Sequence, residues 1–339
     1  MRWLAKAALQ QGIGALPHAE SVNYAFQRRV SRTLPTGEGV LRRKFRRALA
    51  HIRAYEEHGP QRELGGATFY EFGAGWDLAI QLSYWALGVE RQTLVDIRPN
   101  LRPELVNLTL ERLHRLRGEL GEEAGRPVRD PGPRRISAAA DLRAFGIDYL
   151  APRDAGATGL EAESIDFVTS TNTLEHIPAA HLVAILSECR RLLRPDGAMS
   201  SRIDLCDHYS YSDRSLTPYN FLRYSDRAWR LLESRLSHQN RLRRPDYLQA
   251  FATAGLAVVD ERARAPDTAL ERLQALDLAP RFRAYTLDDL AVTRLFLVAR
   301  PMPAASPDAA EEIGDLVGRG SAWVGLRADP LAGGSGDDG

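Results

Sequence analysis

The stretch TFYEFGAGWD, residues 68–77, begins with a short apolar run that is typical of a buried strand. Two glycines follow, Gly73 and Gly75, and because glycine has no Cβ, the backbone there can bend tightly and approach a ligand closely. The residues after the bend predict a helix over 78–87. The first N–H groups of that helix would point back at the bend, which favours a polar or anionic ligand.

A second apolar run, residues 92–95, predicts another strand, which is followed by Asp96. This carboxylate follows Gly75 by 21 positions, close to the spacing of about 20 residues at which an acidic side chain binds a ribose. The bend is not a complete dinucleotide fingerprint, because Leu78 replaces the third glycine of G-x-G-x-x-G. Two glycines alone also fit an ordinary turn that binds nothing.

Glu71 stands two residues before Gly73, and an acidic residue followed by G-x-G after the first strand resembles the first motif of the class I S-adenosylmethionine-dependent methyltransferases. The segment SIDFVTSTNTLEHIP, residues 164–178, resembles the fourth motif of that class: an acidic residue enters the strand, and L-E-H lies in the loop beyond it. The turn LLRPDGAM, residues 192–199, also resembles the family. Three motifs in the expected order make the resemblance specific.

The resemblance covers residues 68–206 and, more weakly, 250–300. Strand and helix patterns alternate there, so the sequence predicts an α/β fold with a doubly wound, mostly parallel, seven-stranded Rossmann-like sheet. Ligands of such a sheet bind outside the carboxyl ends of the strands, at the switch in strand order. Since the first and fourth strands would flank that switch, both motifs would line one crevice. The predicted strands cover residues 68–70, 92–95, 147–150, 165–170, 198–205, 256–261 and 294–299.

Five regions are expected along the chain. They are a helical N-terminal cap (1–60), the S-adenosylmethionine-binding core (61–206), an acceptor-binding insert (207–250), the C-terminal strands of the core (251–300) and a mostly disordered acidic tail (301–339). The cap holds 11 basic and 4 acidic residues. It could cover the cofactor pocket, make peripheral contact with membrane headgroups or form a dimer face. The sequence leaves these alternatives and the oligomeric state open.

The resemblance implies S-adenosyl-L-methionine as the cofactor. Glu71 would lie near its methionine amino group, and Asp96 would accept hydrogen bonds from its ribose hydroxyls. Asp154 with Ala155 resembles the acidic-then-small pair that meets the adenine in this family, although the loop around the pair is unusual. The implied cofactor-binding residues, with the glycines as a backbone platform and the last two residues beside the sulfonium, are Glu71, Gly73, Gly75, Asp96, Asp154, Ala155, Thr171 and Asn172.

Asp207 and His208 follow the predicted fifth strand and are the candidate catalytic residues. Methyl transfer to an oxygen needs an aligned acceptor and a base for its proton, because the donor already carries its leaving group. A histidine paired with a carboxylate is an effective base near neutral pH. A structural hydrogen bond is the alternative for this pair. Glu175 and His176 either brace the next helix or take part in catalysis.

The aromatic and arginine residues of the insert indicate how an acceptor would be bound. Aromatic faces stack on sugar rings and arginine side chains bind phosphate or carboxylate, so we expect a small-molecule or glycan hydroxyl as acceptor, and an anionic one fits the arginines. The string DHY…YNFLRY…RRPDYL also resembles methyltransferases found with polysaccharide-assembly enzymes, which implies O-methylation of a polysaccharide or its precursor. Solvated helical surface is the alternative for any single arginine. The residues concerned are Tyr209, Tyr211, Tyr219, Phe221, Tyr224, Trp229, Arg223, Arg227, Arg230, Arg235, Arg241, Arg243 and Arg244.

Composition and charge narrow the class of protein. A net charge of +1 and the lack of a recognised RNA or DNA module make nucleic acid an unexpected partner. No apolar run reaches the roughly 18 residues that a membrane-spanning helix needs. The two cysteines, Cys189 and Cys206, have neither a disulfide framework nor metal-ligand spacing. We therefore expect a cytoplasmic protein without a metal site.

Two other functions stay open for this sequence. An NAD(P)-dependent oxidoreductase would use a similar sheet, but the missing third glycine and the L-E-H segment disfavour it. A catalytically silent relative would act as a scaffold that binds the methyl donor or nothing. The function that the sequence favours is an S-adenosylmethionine-dependent methyltransferase.

Overall fold

A seven-stranded sheet organises the part of the chain that the computed structural model describes, residues 2–14, 16, 19–29, 34, 37–234, 236 and 238–303. Its strands are β1 (Thr68–Phe72), β2 (Arg91–Val95), β3 (Ile147–Leu150), β4 (Ile165–Thr171), β5 (Leu193–Asp204), β6 (Leu256–Arg264) and β7 (Arg294–Pro301). Their order is β3-β2-β1-β4-β5-β7-β6; β1 to β5 run parallel, and β7 runs antiparallel to both β5 and β6. The predicted doubly wound, mostly parallel sheet is confirmed, with β1 and β4 as neighbours at the switch in strand order.

Helices cover both faces of this sheet. They are α1 (Arg2–Gly14), α2 (Ala19–Arg29), α3 (Glu38–His58), α4 (Ala79–Leu87), α5 (Pro103–Ala124), α6 (Ala179–Leu192), α7 (Asp226–Arg230), α8 (Arg244–Thr253), α9 (Ala269–Gln274) and α10 (Leu287–Ala291). Side chains of α3, α4 and α5 share one hydrophobic cluster with the sheet, and those of α6 and α8 share a second. Because both faces are covered, the central parallel strands β1 and β4 are buried on both sides.

Three helices occupy the region where a helical cap is expected. α3 packs on the sheet through a stripe of residues three and four positions apart, which share one helix face. As predicted, the stripe is buried and consists of Leu41, Phe45, Ala48, Leu49 and Ile52. None of the described helices combines the length and apolarity that crossing a bilayer requires. The expected acidic tail lies outside the described residues from position 304 onward.

Most elements begin or end within three residues of the predicted positions, and β5 differs most. β5 begins at Leu193, which pairs with Ile165 before a shift in register. α5 continues to Ala124, because Gly125 adopts a left-handed φ of 68° and ends the helix there. None of these boundaries moves the carboxyl edge at which a ligand is expected.

Three arginines of the predicted acceptor site have hydrogen-bond partners within the protein. Arg243 is fully buried and donates to the backbone carbonyl groups of Leu205, Leu290 and Val292. Internal partners also hold the other two, Arg241 (Phe221, Tyr224 and Asp226) and Arg244 (Glu261 and Asp289). The expectation that Arg241 and Arg243 bind an acceptor is wrong, because both are buried and a guanidinium group removed from water needs partners inside the protein. Arg244 is partly exposed, so its contact with an acceptor stays a prediction. Arg235 lies outside the described residues.

Most aromatic residues of the insert form a hydrophobic core with α9 and α10. Tyr219, Phe221 and Trp229 are buried there, so they do not stack on an acceptor as expected. Tyr211 differs from them, because it is 63% exposed. From Arg244 onward the expected insert forms α8, which packs against α6 and β6 and therefore belongs to the layer that covers the sheet.

Replacing Arg243 by lysine is expected to lower the free energy of unfolding by about 3 kcal/mol, because one ammonium group cannot reach three separate carbonyl groups and leaves buried acceptors unpaired. Equilibrium unfolding in urea, followed by circular dichroism, measures this change. The control is Arg230→Lys at an exposed position, which should change stability by less than about 0.5 kcal/mol. A loss no larger than that of the control would contradict the structural role of Arg243.

Candidate functional site

The bend after β1 leaves room for a ligand at the carboxyl edge of the sheet. Gly73 has a left-handed φ of 75° and donates its N–H to the carbonyl group of Val95 (2.9 Å). A Cβ at this position would lie 2.5 Å from the Thr173 side chain, so the position requires glycine. Gly75 has a φ of 76°, but a Cβ there would meet no atom within 4 Å. The backbone of Gly75 therefore borders open space that a ligand can occupy.

Asp96 lies directly beside this bend, one residue after β2. Its carboxylate accepts hydrogen bonds from the backbone N–H groups of Gly75 and Arg98 and from the side chain of Asn100. The residue is only 6% exposed, and this burial raises the pKa of Asp96 to about 6. A buried carboxylate next to an open bend can accept hydrogen bonds from vicinal hydroxyl groups, which is the role implied for a ribose.

Glu71 is buried in β1 beside β4. Burial raises the pKa of Glu71 to about 7, although hydrogen bonds from Thr169, Thr171 and Gln81 act in the opposite direction. One carboxylate oxygen, Oε2, has no hydrogen-bond partner among the described residues. An unpaired buried oxygen of this kind is costly, and a positively charged amino group would stabilise it. The atom therefore fits the methionine amino group that the resemblance implies.

The loop after β3 brings the implied adenine pair to the same edge. The N–H of Arg153 donates to the backbone carbonyl group of Asp96 (2.9 Å), which places Asp154 and Ala155 next to the implied ribose position. Asp154 is exposed, and its Oδ1 accepts from the N–H of Gly156 (2.8 Å). Ala155 is half-buried against a hydrophobic cluster. Contact of either residue with an adenine stays a prediction.

Thr171 and Asn172 lie where β4 ends. The hydroxyl group of Thr171 is hydrogen-bonded to Nε2 of His51 (3.1 Å). Asn172 has a left-handed φ of 55°, and its Oδ1 is buried without a partner among the described residues. Its amide nitrogen lies 3.5 Å from a carboxylate oxygen of Asp204. Both residues are thus at the edge where Glu71 lies, and their contact with a sulfonium stays a prediction.

The expected pairing of Asp207 with His208 does not occur. Asp207 is buried and caps the next turn, because its carboxylate accepts from the N–H of Tyr209 (2.8 Å) and from the side chain of Asn220 (2.9 Å). His208 is nearer to Asp204, whose carboxylate oxygen lies 4.0 Å from the imidazole Nε2. The prediction that Asp207 orients a catalytic base is therefore wrong, and the role of His208 stays a prediction.

Five polar residues meet where β4 and β5 end, and we call them the edge cluster: Glu175, His176, Asp204, His208 and Tyr211. The phenol of Tyr211 donates to Asp204 (2.5 Å), and the His208 ring stacks on Tyr211 with 5.4 Å between ring centroids. Burial raises the pKa of Glu175 to about 8, and burial together with the neighbouring His176 lowers the pKa of His208 to about 4. The L-E-H motif indicated two of these residues, but nothing in the sequence indicated Asp204.

Arg47 and Arg202 lie near Asp204 and Glu175 of the edge cluster, and Arg43 and Arg294 lie near these two arginines. The four, here called the arginine group, form no ion pair with any described residue. Arg43, Arg47 and His51 share one face of α3, because they are four residues apart. Burial, together with neighbouring arginines, lowers the pKa of both Arg47 and Arg202. The group was not predictable from the sequence, because its members come from three separate elements, α3, β5 and β7.

Comparison with known proteins adds one family match. Residues 132–200 match the family model described as a methyltransferase domain. Among curated proteins, none matches the chain. This match covers β3, β4, α6 and the first part of β5, and it includes the L-E-H motif.

Several solved structures are similar to this chain at low identity. One is geranyl diphosphate C-methyltransferase from Streptomyces coelicolor A3(2), in complex with Mg2+, geranyl diphosphate and S-adenosyl-L-homocysteine (13% identity, 75% of this chain and 79% of that chain, TM-score 0.42). Others are the [4+2]-cyclase SpnF (13% identity, 76% and 82%, TM-score 0.43) and a SAM-dependent methyltransferase from Methanosarcina mazei (14% identity, 70% and 93%, TM-score 0.38). At these scores the similarities carry no information on substrate.

The fold is that of a Rossmann-like α/β protein, with an open glycine bend and two buried carboxylates at the ends of β1 and β2. The strand order, the family match and the buried carboxylates together support a class I S-adenosylmethionine-dependent methyltransferase. The cofactor they indicate is S-adenosyl-L-methionine.

Glu71→Gln is expected to stabilise the ligand-free protein at neutral pH. The pKa of Glu71 is raised by burial to about 7 from an ordinary value of 4.5, so ionisation destabilises the folded state as the pH rises through this interval. The free energy of unfolding of the wild type, compared with that of the variant, should fall by up to about 3 kcal/mol between about pH 4.5 and pH 8. Urea unfolding at a series of pH values measures the difference. Glu63→Gln, at an exposed position, is the control; a pH-independent difference for Glu71→Gln would contradict its buried, unpaired state.

Proposed function

We propose that the protein moves a methyl group from S-adenosyl-L-methionine to a hydroxyl oxygen bound at the carboxyl ends of β4 and β5. The observation that carries this proposal is the pair of buried carboxylates, Glu71 and Asp96, beside the open glycine bend. One has an orphan oxygen for an ammonium group, and the other can accept hydrogen bonds from ribose hydroxyls. When bound, the cofactor supplies a methyl group attached to a sulfonium leaving group.

The chain's own residues would mainly position the reactants. Glu71 and Asp96 would hold the cofactor at its amino-acid end and at its ribose, and two anchor points fix the direction of the bond that breaks. Asp154 and Ala155 would border the adenine. Thr171 and Asn172 would border the sulfonium, and Asn172 leads into the edge cluster through its contact with Asp204.

The edge cluster would receive the acceptor hydroxyl group. Nε2 of His208 is buried without a hydrogen-bond partner among the described residues, so it is available to a hydroxyl proton or to a ligand. The 5.0 Å between its ring centroid and that of His176 makes a second imidazole available at the same place. We therefore propose His208 as the residue that activates the acceptor hydroxyl group. It would do so without the Asp207 partner that was expected from the sequence.

An anionic acceptor is the second part of the proposal. The arginine group gathers positive charge beside the edge cluster, and guanidinium groups close to one another repel unless an anion lies between them. A guanidinium group can donate two parallel hydrogen bonds to one phosphate or carboxylate group. A phosphorylated or uronic acid-containing glycan, or its precursor, fits this charge. Association with polysaccharide assembly rests on the sequence resemblance, and membrane contact through the basic N-terminus stays a prediction.

Two alternatives differ from this proposal in what they bind and turn over. A nicotinamide-dependent oxidoreductase would bind NAD, so competition between NAD and radiolabelled S-adenosylmethionine separates it from a methyltransferase. A silent scaffold would bind the donor without turnover. Incubation with candidate anionic glycans, followed by mass spectrometry for a one-methyl shift, separates that alternative.

Asp96→Asn is expected to weaken S-adenosylmethionine binding about 10- to 100-fold, because an amide offers fewer acceptor sites to the ribose hydroxyls and loses a charge-assisted hydrogen bond. Isothermal titration calorimetry measures the Kd. Asp148→Asn, at an exposed position in β3, is the matched control and should bind like the wild type. Equal affinities for Asp96→Asn and the control would contradict the ribose-binding role.

Arg47→Gln is expected to raise KM for an anionic acceptor about 10-fold, because one charge-assisted contact with the anion is lost. The KM for the matching neutral acceptor and the Kd for the methyl donor should stay unchanged. Steady-state methylation of a phosphorylated sugar and its unphosphorylated form provides this comparison, with the exposed α3 residue changed in Arg53→Gln as control. The same KM change for both acceptors would show that Arg47 does not recognise an anion.

A further inference from the structure

We infer that Glu175, His176 and His208 bind a divalent transition-metal ion, for which Zn2+ is the best match. Two imidazoles and one carboxylate are a ligand set typical of catalytic zinc sites, which keep an additional position for a water or substrate oxygen. The sequence predicted no metal site, because the two cysteines lack the spacing of metal ligands. The three ligands come instead from the turn after β4 and from the turn after β5, which the sheet brings together.

The distances allow such a site. One ligand atom from each of the three side chains lies within 4.8 Å of the other two. Metal–ligand bonds of about 2.0 to 2.2 Å bring ligand atoms to within about 3 to 3.5 Å of one another. Closing that difference requires the three side chains to turn toward the ion.

Glu175 provides an independent observation that points to a cation. The residue is 2% exposed, and its Oε1 accepts from the backbone N–H of Asp204 (3.3 Å). Its other oxygen, Oε2, is buried without a hydrogen-bond partner among the described residues. A buried carboxylate oxygen without a partner is costly, and a metal ion would compensate for it directly.

Each of the two histidines has an Nε2 that is free to bind a metal ion, and hydrogen bonds hold both residues in place. Nδ1 of His176 donates to the backbone carbonyl group of His238 (2.7 Å), which leaves the lone pair of Nε2 free. A second hydrogen bond of this type fixes the tautomer and the orientation of a ligating ring. Nε2 of His208 is buried without a partner among the described residues, and its backbone N–H is held by Gln239 (3.0 Å).

The ligand set also indicates which metal binds. Imidazole nitrogens suit Zn2+, Co2+ and similar ions, whereas Mg2+ and Ca2+ prefer oxygen ligands. The carboxylate of Asp204, 4.0 Å from Nε2 of His208, adds negative charge that offsets the nearby Arg47 and Arg202. In the function proposed above, the position not filled by protein would hold the acceptor oxygen, and His208 would then be a metal ligand instead of the base; this part of the inference rests on that proposed function.

Metal content and affinity of the whole chain, purified without a polyhistidine tag, test the site. After chelator treatment, the protein is titrated with Co2+ and Zn2+, and the cobalt absorption spectrum and the bound metal per chain are measured. We expect one ion per wild-type chain and a Kd at least about 10-fold weaker in Glu175→Gln and in His208→Asn. His181→Asn, an exposed histidine on α6, is the control and should bind like the wild type.

Wild-type protein that binds less than about one-tenth of an equivalent, or that loses no affinity in either site variant, would overturn the inference. The wild-type titration decides the first point even where a variant does not fold. S-adenosyl-L-homocysteine binding, measured on the same samples, distinguishes the two proposals. Donor-product binding without metal binding removes the metal site alone, and metal binding without donor-product binding removes the proposed methyltransferase function alone.

Discussion

Two carboxylates, Glu71 and Asp96, are buried at the carboxyl edge of the sheet, and the rest of the site depends on that burial. Removing an ionised carboxylate from water costs free energy unless hydrogen bonds or opposite charge compensate for it. The backbone N–H of Gly75 provides part of that compensation for Asp96, whereas Glu71 keeps an oxygen without a partner among the described residues. The ligand-free protein therefore holds acceptors that an ammonium group and ribose hydroxyls would satisfy.

The N-terminal helices contact both the glycine bend and the insert. Lys44 of α3 forms an ion pair of 2.7 Å with Asp77, just after the glycine bend, and Tyr24 of α2 packs edge-on against Trp76. At the other end, Trp3 of α1 packs within the aromatic core of the insert. A role of these helices as a cover for the crevice stays a prediction.

The sheet was predictable from the sequence because the pattern that specifies it is local. Buried parallel strands are short apolar runs, and the glycine bend, the acidic residues and L-E-H recur at fixed offsets from them. The end of α5 was not predictable in this way, because several glycines were candidates and the left-handed φ of Gly125 ends the helix. Helix boundaries of this kind depend on backbone conformations that composition does not specify.

The site beyond the cofactor position depends on contacts between distant segments. Asp207 precedes His208 in the sequence, yet it caps the next turn, and Asp204 lies closer to the imidazole. Likewise, the sequence predicted that Arg243 binds an anion, but its guanidinium group donates to three backbone carbonyl groups instead. Arg47 and Arg202, from α3 and β5, meet only in the folded chain. Charge alone therefore does not show which arginines reach solvent, and tertiary packing decides it.

A crystal structure of the whole chain with S-adenosyl-L-homocysteine is the most direct measurement of how the site is used. We expect the ribose hydroxyls within about 3 Å of the Asp96 carboxylate, and the amino group at hydrogen-bond distance from Glu71. A nucleoside bound away from Gly75, or well-folded protein that takes up no ligand at saturating concentration, would contradict the assignment of the cofactor and of the function built on it.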